Sequence, residues 1–544
     1  GSAYLKYTGA ATTLTNRRLD LATVTTGAIT LDASGSGAIN FANTTALGGA
    51  SSAKTFTLRG SNTGLNIIAG IIDNGSGSTR ALTKLDRGQW VLTNNNTFTG
   101  STTVNAGTLT LDASLNAAIT PANGIIASTS ALTLGGGTLS ITGATGATAQ
   151  TFASTALTTN TMSTVTASAG AGGLTVNLGA ITRDASSGLN ISLTSSPTLS
   201  YSVGATGWAS NNGLNVSATT GAAFMTLNGT DWANGVTNPV ASTYTADTFT
   251  ASTSNINVTT SGAWAGTSLN ALRFNTAGAV TLTITNANTL GAGGILVGSG
   301  AGAVNFGGTS STGTVSGTAF TTANGELNIF NYSSSSATIN AGLINNASSN
   351  SYLSAAPVGN TLNVFGTGTT ILNASRTATT FANAYTGGTN ISGSATLQLG
   401  QNNAIPFGAS TPGALSISGG ATLDLNGKNQ IINGISGLGM VNNSTTSTVT
   451  FTIGSANGGG TFTGSIQNSG GGAVSLVKTG TGSITFNGEN TYTGGTTISQ
   501  GTLLLNFTNG PINVRNNILP ATALTLGSAT LNVTGQVNTS SINA

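Results

Sequence analysis

The sequence has no cysteine and no histidine in 544 residues. Without Cys there is no disulfide and no thiolate ligand, so stability must come from packing and hydrogen bonds. The two absences together exclude His-assisted Ser or Cys nucleophiles and the usual zinc sites. Charge is also scarce: 14 Lys and Arg stand against 11 Asp and Glu, 5% of the chain, where a soluble domain usually carries about a quarter. The net charge of +3 is spread too thinly for a nucleic-acid footprint, and the nearest cluster, Arg17-Arg18, is answered at once by Asp20. Glu occurs only at Glu326 and Glu489; helix formers are missing while Thr, Val and Ile abound, so almost no helix is expected. The strongest apolar run, "LNIIAGII" at 65–72, falls well short of the roughly 20 residues of a membrane helix. Gly1-Ser2 opens the chain without a basic stretch and apolar run, so no secretory leader is read there.

In place of charge, Ser, Thr and Asn supply the polar groups. Their hydroxyls and amides bond water without the repulsion that like charges suffer when stacked a strand apart. Gly numbers 79 but Pro only 8, and no Gly-X-Y period appears, which excludes collagen. With 38% hydrophobic residues in alternating patterns there is a core to bury, which argues against disorder.

Internal comparison is informative. "LTKLDRGQWVLTNNNTFTGSTTVNAGTLTL" (82–111) aligns without a gap on "LVKTGTGSITFNGENTYTGGTTISQGTLLL" (476–505), pairing Lys84 with Lys478, Gly88 with Gly482, Asn96 with Asn490 and Phe98 with Tyr492. A partial third copy, "NAYTGGTNISGSATLQL" (383–399), lacks the upstream Lys-and-Gly lead. Trp90 and Leu92, Ile484 and Phe486, and Leu109 and Leu111 sit two apart, which puts apolar groups on one face of a strand. Between them lie Gly and Asn, which accept positive φ and turn the chain. The unit is strand, corner, strand, corner.

Asn74-Gly75, Asn426-Gly427 and Asn487-Gly488 favour hairpins and leave an antiparallel sandwich or barrel open. The preferred expectation is an all-β, parallel β-helix (β-solenoid), one continuous rod over 1–544, because stacked rungs let like residues lie on like. At about 20 to 25 residues and about 4.8 Å per rung the rod would be roughly 100 to 130 Å long. The region 195–275 carries Trp208, Trp232 and Trp264, fits the repeat poorly, and reads as a looped-out elaboration.

The three segments with their "LVKTGTGSITF" lead resemble the autotransporter-associated β-strand repeat, or passenger-associated transport repeat. The resemblance implies a right-handed β-helix, extracellular, at a bacterial surface or released from it. The last residues, "ATLNVTGQVNTSSINA", are too short for the outer-membrane barrel that ends the family's best-known members and lack its aromatic girdles.

The chemistry looks inert. The acids are scattered; Asp86-Arg87 and Arg183-Asp184 read as surface pairs, and Asp32, Asp112 and Asp424 as strand ends. No calcium-loop spacing and no phosphate loop is present, so no catalytic residue, metal or cofactor is expected. Phe98, Tyr385 and Tyr492 hold equivalent places beside Gly100, Gly387 with Gly388, and Gly494 with Gly495, which reads as packing within a corner stack. Trp208, Trp232 and Trp264 read either as core residues or as a platform for sugar faces.

The leading expectation is a non-catalytic structural solenoid, a surface fibre or matrix element. "AYLKYTG" and "TALTLGSATLNVTG" carry no capping helix or charged lid, so the partner expected is another copy, stacked head to tail into a filament. An adhesin binding glycan or a cell-surface or matrix polysaccharide is the alternative, and a polysaccharide-acting β-helix enzyme the third.

Overall fold

The computed structural model describes residues 3–19, 28–47, 54–74, 79–116, 124–204, 208–218, 220–265, 267–284, 287–307, 314–317, 325–344, 360–374, 383–407, 413–507 and 518–535. Asp20 and Gly75 lie outside them. Among the described residues there is no α-helix, and one three-residue 3-10 turn stands at Ala113–Leu115. No helix is long and apolar enough to cross a membrane.

The chain divides into two compact units, Gly1–Asn215 with Met225–Ser242, and Val216–Phe224 with Thr243–Ala544. In the first, successive strands alternate between two sheets: Ala3–Tyr7, Ile29–Ala33, Lys54–Arg59 and Arg80–Lys84 join one, while Thr13–Thr15, Ile39–Phe41, Asn66–Ile68 and Gln89–Leu92 join the other. Each strand pairs in parallel with the strand one circuit later, as in Leu31 with Leu58 and Leu58 with Lys84. Parallel pairing one circuit on, with roughly 20 to 30 residues per circuit, defines a parallel β-helix. The second unit is built the same way, around an eighteen-stranded and a nine-stranded sheet.

Asn426-Gly427 and Asn487-Gly488 do not make hairpins, whereas Asn228-Gly229 turns the chain between the antiparallel strands Met225–Leu227 and Asp231–Asn234. Asn426 and Gly427 both take positive φ, 47° and 72°, but they turn the chain from Thr422–Asp424 to Gln430–Ile431, strands of different sheets. The sharp turn is a corner within a circuit. Antiparallel pairing occurs locally, where Met225–Leu227 meets Asp231–Asn234 and the latter meets Val240–Ala241.

Register places like residues in columns. Trp90, Leu109, Leu139, Val165 and Ile191 form one inward column, Leu92, Leu111, Ile141 and Ala167 the next, all buried. In the second unit Leu282, Phe306, Ile339, Leu372 and Leu399 do the same. Each fully buried Leu, Ile or Phe contributes about 1.5–3 kcal/mol. The period-two pattern therefore acts twice, choosing the strand face and then stacking it.

Corners stack as tightly as strands. A Cβ on Gly464 would lie 1.8 Å from the Gly439 carbonyl oxygen, and one on Gly488 would lie 1.7 Å from that of Gly464. Gly439, Gly464 and Gly488 thus form a column in which only hydrogen fits between circuits.

Candidate functional surface

The repeat copies are built around three polar devices. The first is an asparagine that ties together three circuits. Asn96 Oδ1 accepts from Ile72 N at 2.8 Å, while its Nδ2 donates to Asn94 O at 2.8 Å and Ile125 O at 2.9 Å. Asn490 repeats this with Ile466 N, Gly488 O and Ile518 O, and Asn383 with Leu343 N and Ala404 O. All three are buried, so every amide atom must find a partner. Two circuits later in the first and third copies, Gln150 and Gln430 continue the column. Each accepts on Oε1 from the N–H of Ile125 or Ile405 and donates from Nε2 to Ile126 O or Ile405 O.

The second device is a buried lysine. Lys84 lies in the inward column between Leu58 and Val104, and Lys478 between Ile453 and Ile498. Both are fully buried. Lys84 Nζ donates to Leu85 O and Asp86 O at 2.6 Å and to Ala106 O, on the next corner, at 3.0 Å. Lys478 Nζ meets Thr479 O, Gly480 O and Gln500 O at 2.6, 2.9 and 3.2 Å. An ammonium has three donors, and each lysine spends them pinning two successive corners. Burial pulls the Lys84 ammonium from 10.5 down to about 7, with the Asp86 charge opposing; burial lowers Lys478 as well.

The third is a ring beside a threonine. Tyr492 and Tyr385 are buried, and their hydroxyls bond Thr496 Oγ1 at 2.6 Å and Thr389 Oγ1 at 2.7 Å. Burial pushes the Tyr492 phenol up to about 12 and raises that of Tyr385. Phe98 has no hydroxyl, and there Thr102 Oγ1 turns to Ser130 Oγ at 3.1 Å. Beside each ring, Gly100, Gly387 and Gly494 donate to Arg80 O, Asn360 O and Val474 O at 2.9, 2.9 and 3.1 Å; a Cβ on any of them would strike the same oxygen within 2.5 Å. Gly388 and Gly495 accept from Leu362 N and Leu476 N at 3.0 and 2.9 Å. Ser101 does the same for Leu82 N at 2.9 Å in the first copy, so that place tolerates a side chain.

The charged pairs differ from the sequence expectation. Asp86 pairs with Arg59 of the preceding circuit at 2.8 Å rather than with Arg87. Arg183 is buried and bonds Ser187 O through Nε at 3.1 Å and Nη2 at 2.9 Å, while Asp184 is exposed. Arg183 occupies the same inward column as Lys84. "ITRDASSG" (181–188) is thus a disguised lead with Arg for Lys, which internal comparison missed because its corner is one residue longer. Asp32 accepts from the Tyr4 and Ser34 hydroxyls, and Asp424 from Gln398 Nε2 at 2.9 Å and Ser444 Oγ at 2.7 Å. Among the described residues no group of three or more acids could hold a metal ion.

Trp208 and Trp232 belong to the first unit and Trp264 to the second. All three are buried, at 5%, 1% and 0% exposure. Trp208 meets Tyr201 edge-on at 5.7 Å, and Trp264 Nε1 donates to Thr267 Oγ1 at 2.8 Å. As placed, none offers a ring face to solvent.

A groove of about 440 Å3 lies on the second unit. Its wall includes the register-matched Thr281, Asn305 and Thr338, with Asn340 and Asn373 on the following corners and Ala279 and Ala303 at its edge. Among the described residues no charged or aromatic side chain lines it.

The passenger-associated-transport-repeat model matches residues 82–111, 362–399 and 476–505. The middle match begins upstream of the segment 383–399: Leu362 N bonds Gly388 O as Leu476 N bonds Gly495 O, and Val364 pairs with Ile391 as Lys478 pairs with Ile498. That copy has a lead, with Val in the lysine's place. Over 108 residues the chain is 48% identical to the adhesin BmaC autotransporter of Brucella suis biovar 1 (strain 1330), a stretch covering 19% of this chain and 3% of that protein. The chain thus matches a small part of that relative's length. No solved structure matches. The chain thus carries passenger-associated transport repeats at three places, each with the same asparagine tie, within a parallel β-helix.

Proposed function

We propose that the chain is an extracellular, non-catalytic β-helical passenger segment, displayed at a bacterial surface, that works by adhesion. The observation carrying this reading is the match to an autotransporter adhesin in a chain whose polar groups are mostly uncharged amides and hydroxyls. A surface with so little charge makes contact by hydrogen bonding and shape, with little long-range steering. The buried lysines and asparagines are consumed in holding circuits together, which leaves the outer faces for contact. Beads coated with the full chain should adhere to host-cell monolayers or bacterial surfaces several-fold above albumin-coated beads. Equal adherence would reject the adhesive reading, and new reducing ends or unsaturated products from incubated acidic polysaccharides would reject the non-catalytic one.

Self-association is a second reading. Leu5 and Leu526 continue the inward columns of Leu31 and Ile498 and stand 47% and 52% exposed. A further circuit laid on either edge, from the same polypeptide or another copy, would cover them. Negative-stain images at micromolar concentration showing only particles of single length would reject assembly between copies.

A further inference from the structure

We propose that the groove on the second unit is a binding site for a neutral, hydroxyl-rich glycan strand, oriented by the side-chain amide of Asn305. The proposal rests on the adhesive reading and names its ligand class. Gln401 Nε2 donates to Asn373 Oδ1 at 3.1 Å, Asn373 Nδ2 to Asn340 Oδ1 at 2.7 Å, and Asn340 Nδ2 to Asn305 Oδ1. All donors point the same way, so the amide dipoles add. The ladder ends at Asn305 Nδ2, which has no acceptor among the described residues. That nitrogen is a polarised donor on the groove wall, suited to an oxygen acceptor.

The flanking groups have the matching chemistry. Thr281 and Thr338 stand either side of Asn305 in the same outward column, and their hydroxyls make no bond to described residues. A hydroxyl both donates and accepts, which suits another hydroxyl. Exposed Ala279 and Ala303 give methyl surface for the C–H face of a ring. Adjacent strands are about 4.8 Å apart, close to the length of one pyranose residue in an extended chain, so a glycan lying across the strands would meet one polar side chain per ring. The volume falls within the roughly 300–1,000 Å3 of ligand clefts. The uncharged lining sets the class: it offers no cation to a uronate, whose desolvation would go uncompensated.

The test is calorimetric titration of the full chain with short neutral gluco- and manno-oligosaccharides and with uronic-acid oligomers of equal length. Neutral oligomers should bind, with uronic ones about tenfold weaker or more. Asn305→Asp keeps the acceptor for Asn340 and removes the free donor; it and Thr281→Val should each weaken neutral binding about tenfold, with melting temperature and circular dichroism unchanged. Absence of neutral binding at ~10 mM ligand, preference for uronic oligomers, binding indifferent to both variants, or a change in self-association alone would overturn the proposal. If wild-type beads still adhere while neutral oligomers do not bind, this site fails and the adhesive reading stands. If the beads do not adhere, that reading fails first.

Discussion

The hydroxyl of Tyr492 lies 2.6 Å from that of Thr496, four residues on, in a fully buried corner. Thr496 occupies an inward column directly after Leu476, where a lone hydroxyl would otherwise be buried without a partner. Tyr492→Phe should therefore lower stability by about 1–2 kcal/mol in chemical denaturation, and Tyr492→Phe with Thr496→Val should recover much of it. Additive losses in the double variant would contradict this account.

The asparagine tie is worth more because it serves both neighbours. Asn490→Ala removes the partner of Ile466 N and of Ile518 O, groups on the circuits before and after. The expected loss is about 3 kcal/mol or more, since each orphaned buried group costs about 1–3 kcal/mol. Hydrogen exchange should speed at Ile466 N in the variant. Unchanged protection there would show that the amide does not hold the preceding circuit.

Lys84 makes stability depend on pH. The folded form holds its proton with a pKa of about 7, against 10.5 for the free side chain, so between these values the unfolded chain binds more protons and stability rises with pH. Below about pH 7 both forms are charged and the full burial cost applies. Lys84→Met should flatten the rise between about pH 7 and 10 relative to wild type, while costing about 2–4 kcal/mol near neutrality through the orphaned carbonyls of Leu85, Asp86 and Ala106. Parallel pH curves for the two proteins would refute it.

Gly488→Ala would place a methyl 1.7 Å from the Gly464 carbonyl oxygen, while a Cβ on Gly146 meets nothing within 4 Å. The first substitution should destabilise by about 3 kcal/mol or more, by forcing two corners apart, and the second should stay within about 0.5 kcal/mol. Thermal denaturation of the pair checks both; similar shifts would mean the corner column can open.

The alternation at Trp90, Leu92, Leu109 and Leu111 was enough to read strands, because period two in the sequence is a face in space. Parallel pairing was harder to see: Asn426-Gly427 has the chemistry of a hairpin turn, and only the strands it joins reveal a corner. Lys84 matched Lys478 in the alignment, and the period that turns Leu82 inward turns Lys84 inward too; what nothing local reveals is its partners, since they include Ala106 O on another circuit. The amide ladder was invisible for a related reason. Its members lie 35, 33 and 28 residues apart, and unequal circuit lengths hide any period. The three tryptophans suggested a sugar platform by their clustering, but each indole is covered in the folded chain.

The reach of Asn96, Asn383 and Asn490 forward and back has a mechanical outcome. Peeling a strand from an end must snap a tie to the layer beneath and one to the layer above, so the pulling force should climb at these places and drop between them. Spaced along the polypeptide, they would act as ratchet stops that halt unravelling under load and leave the remaining layers intact.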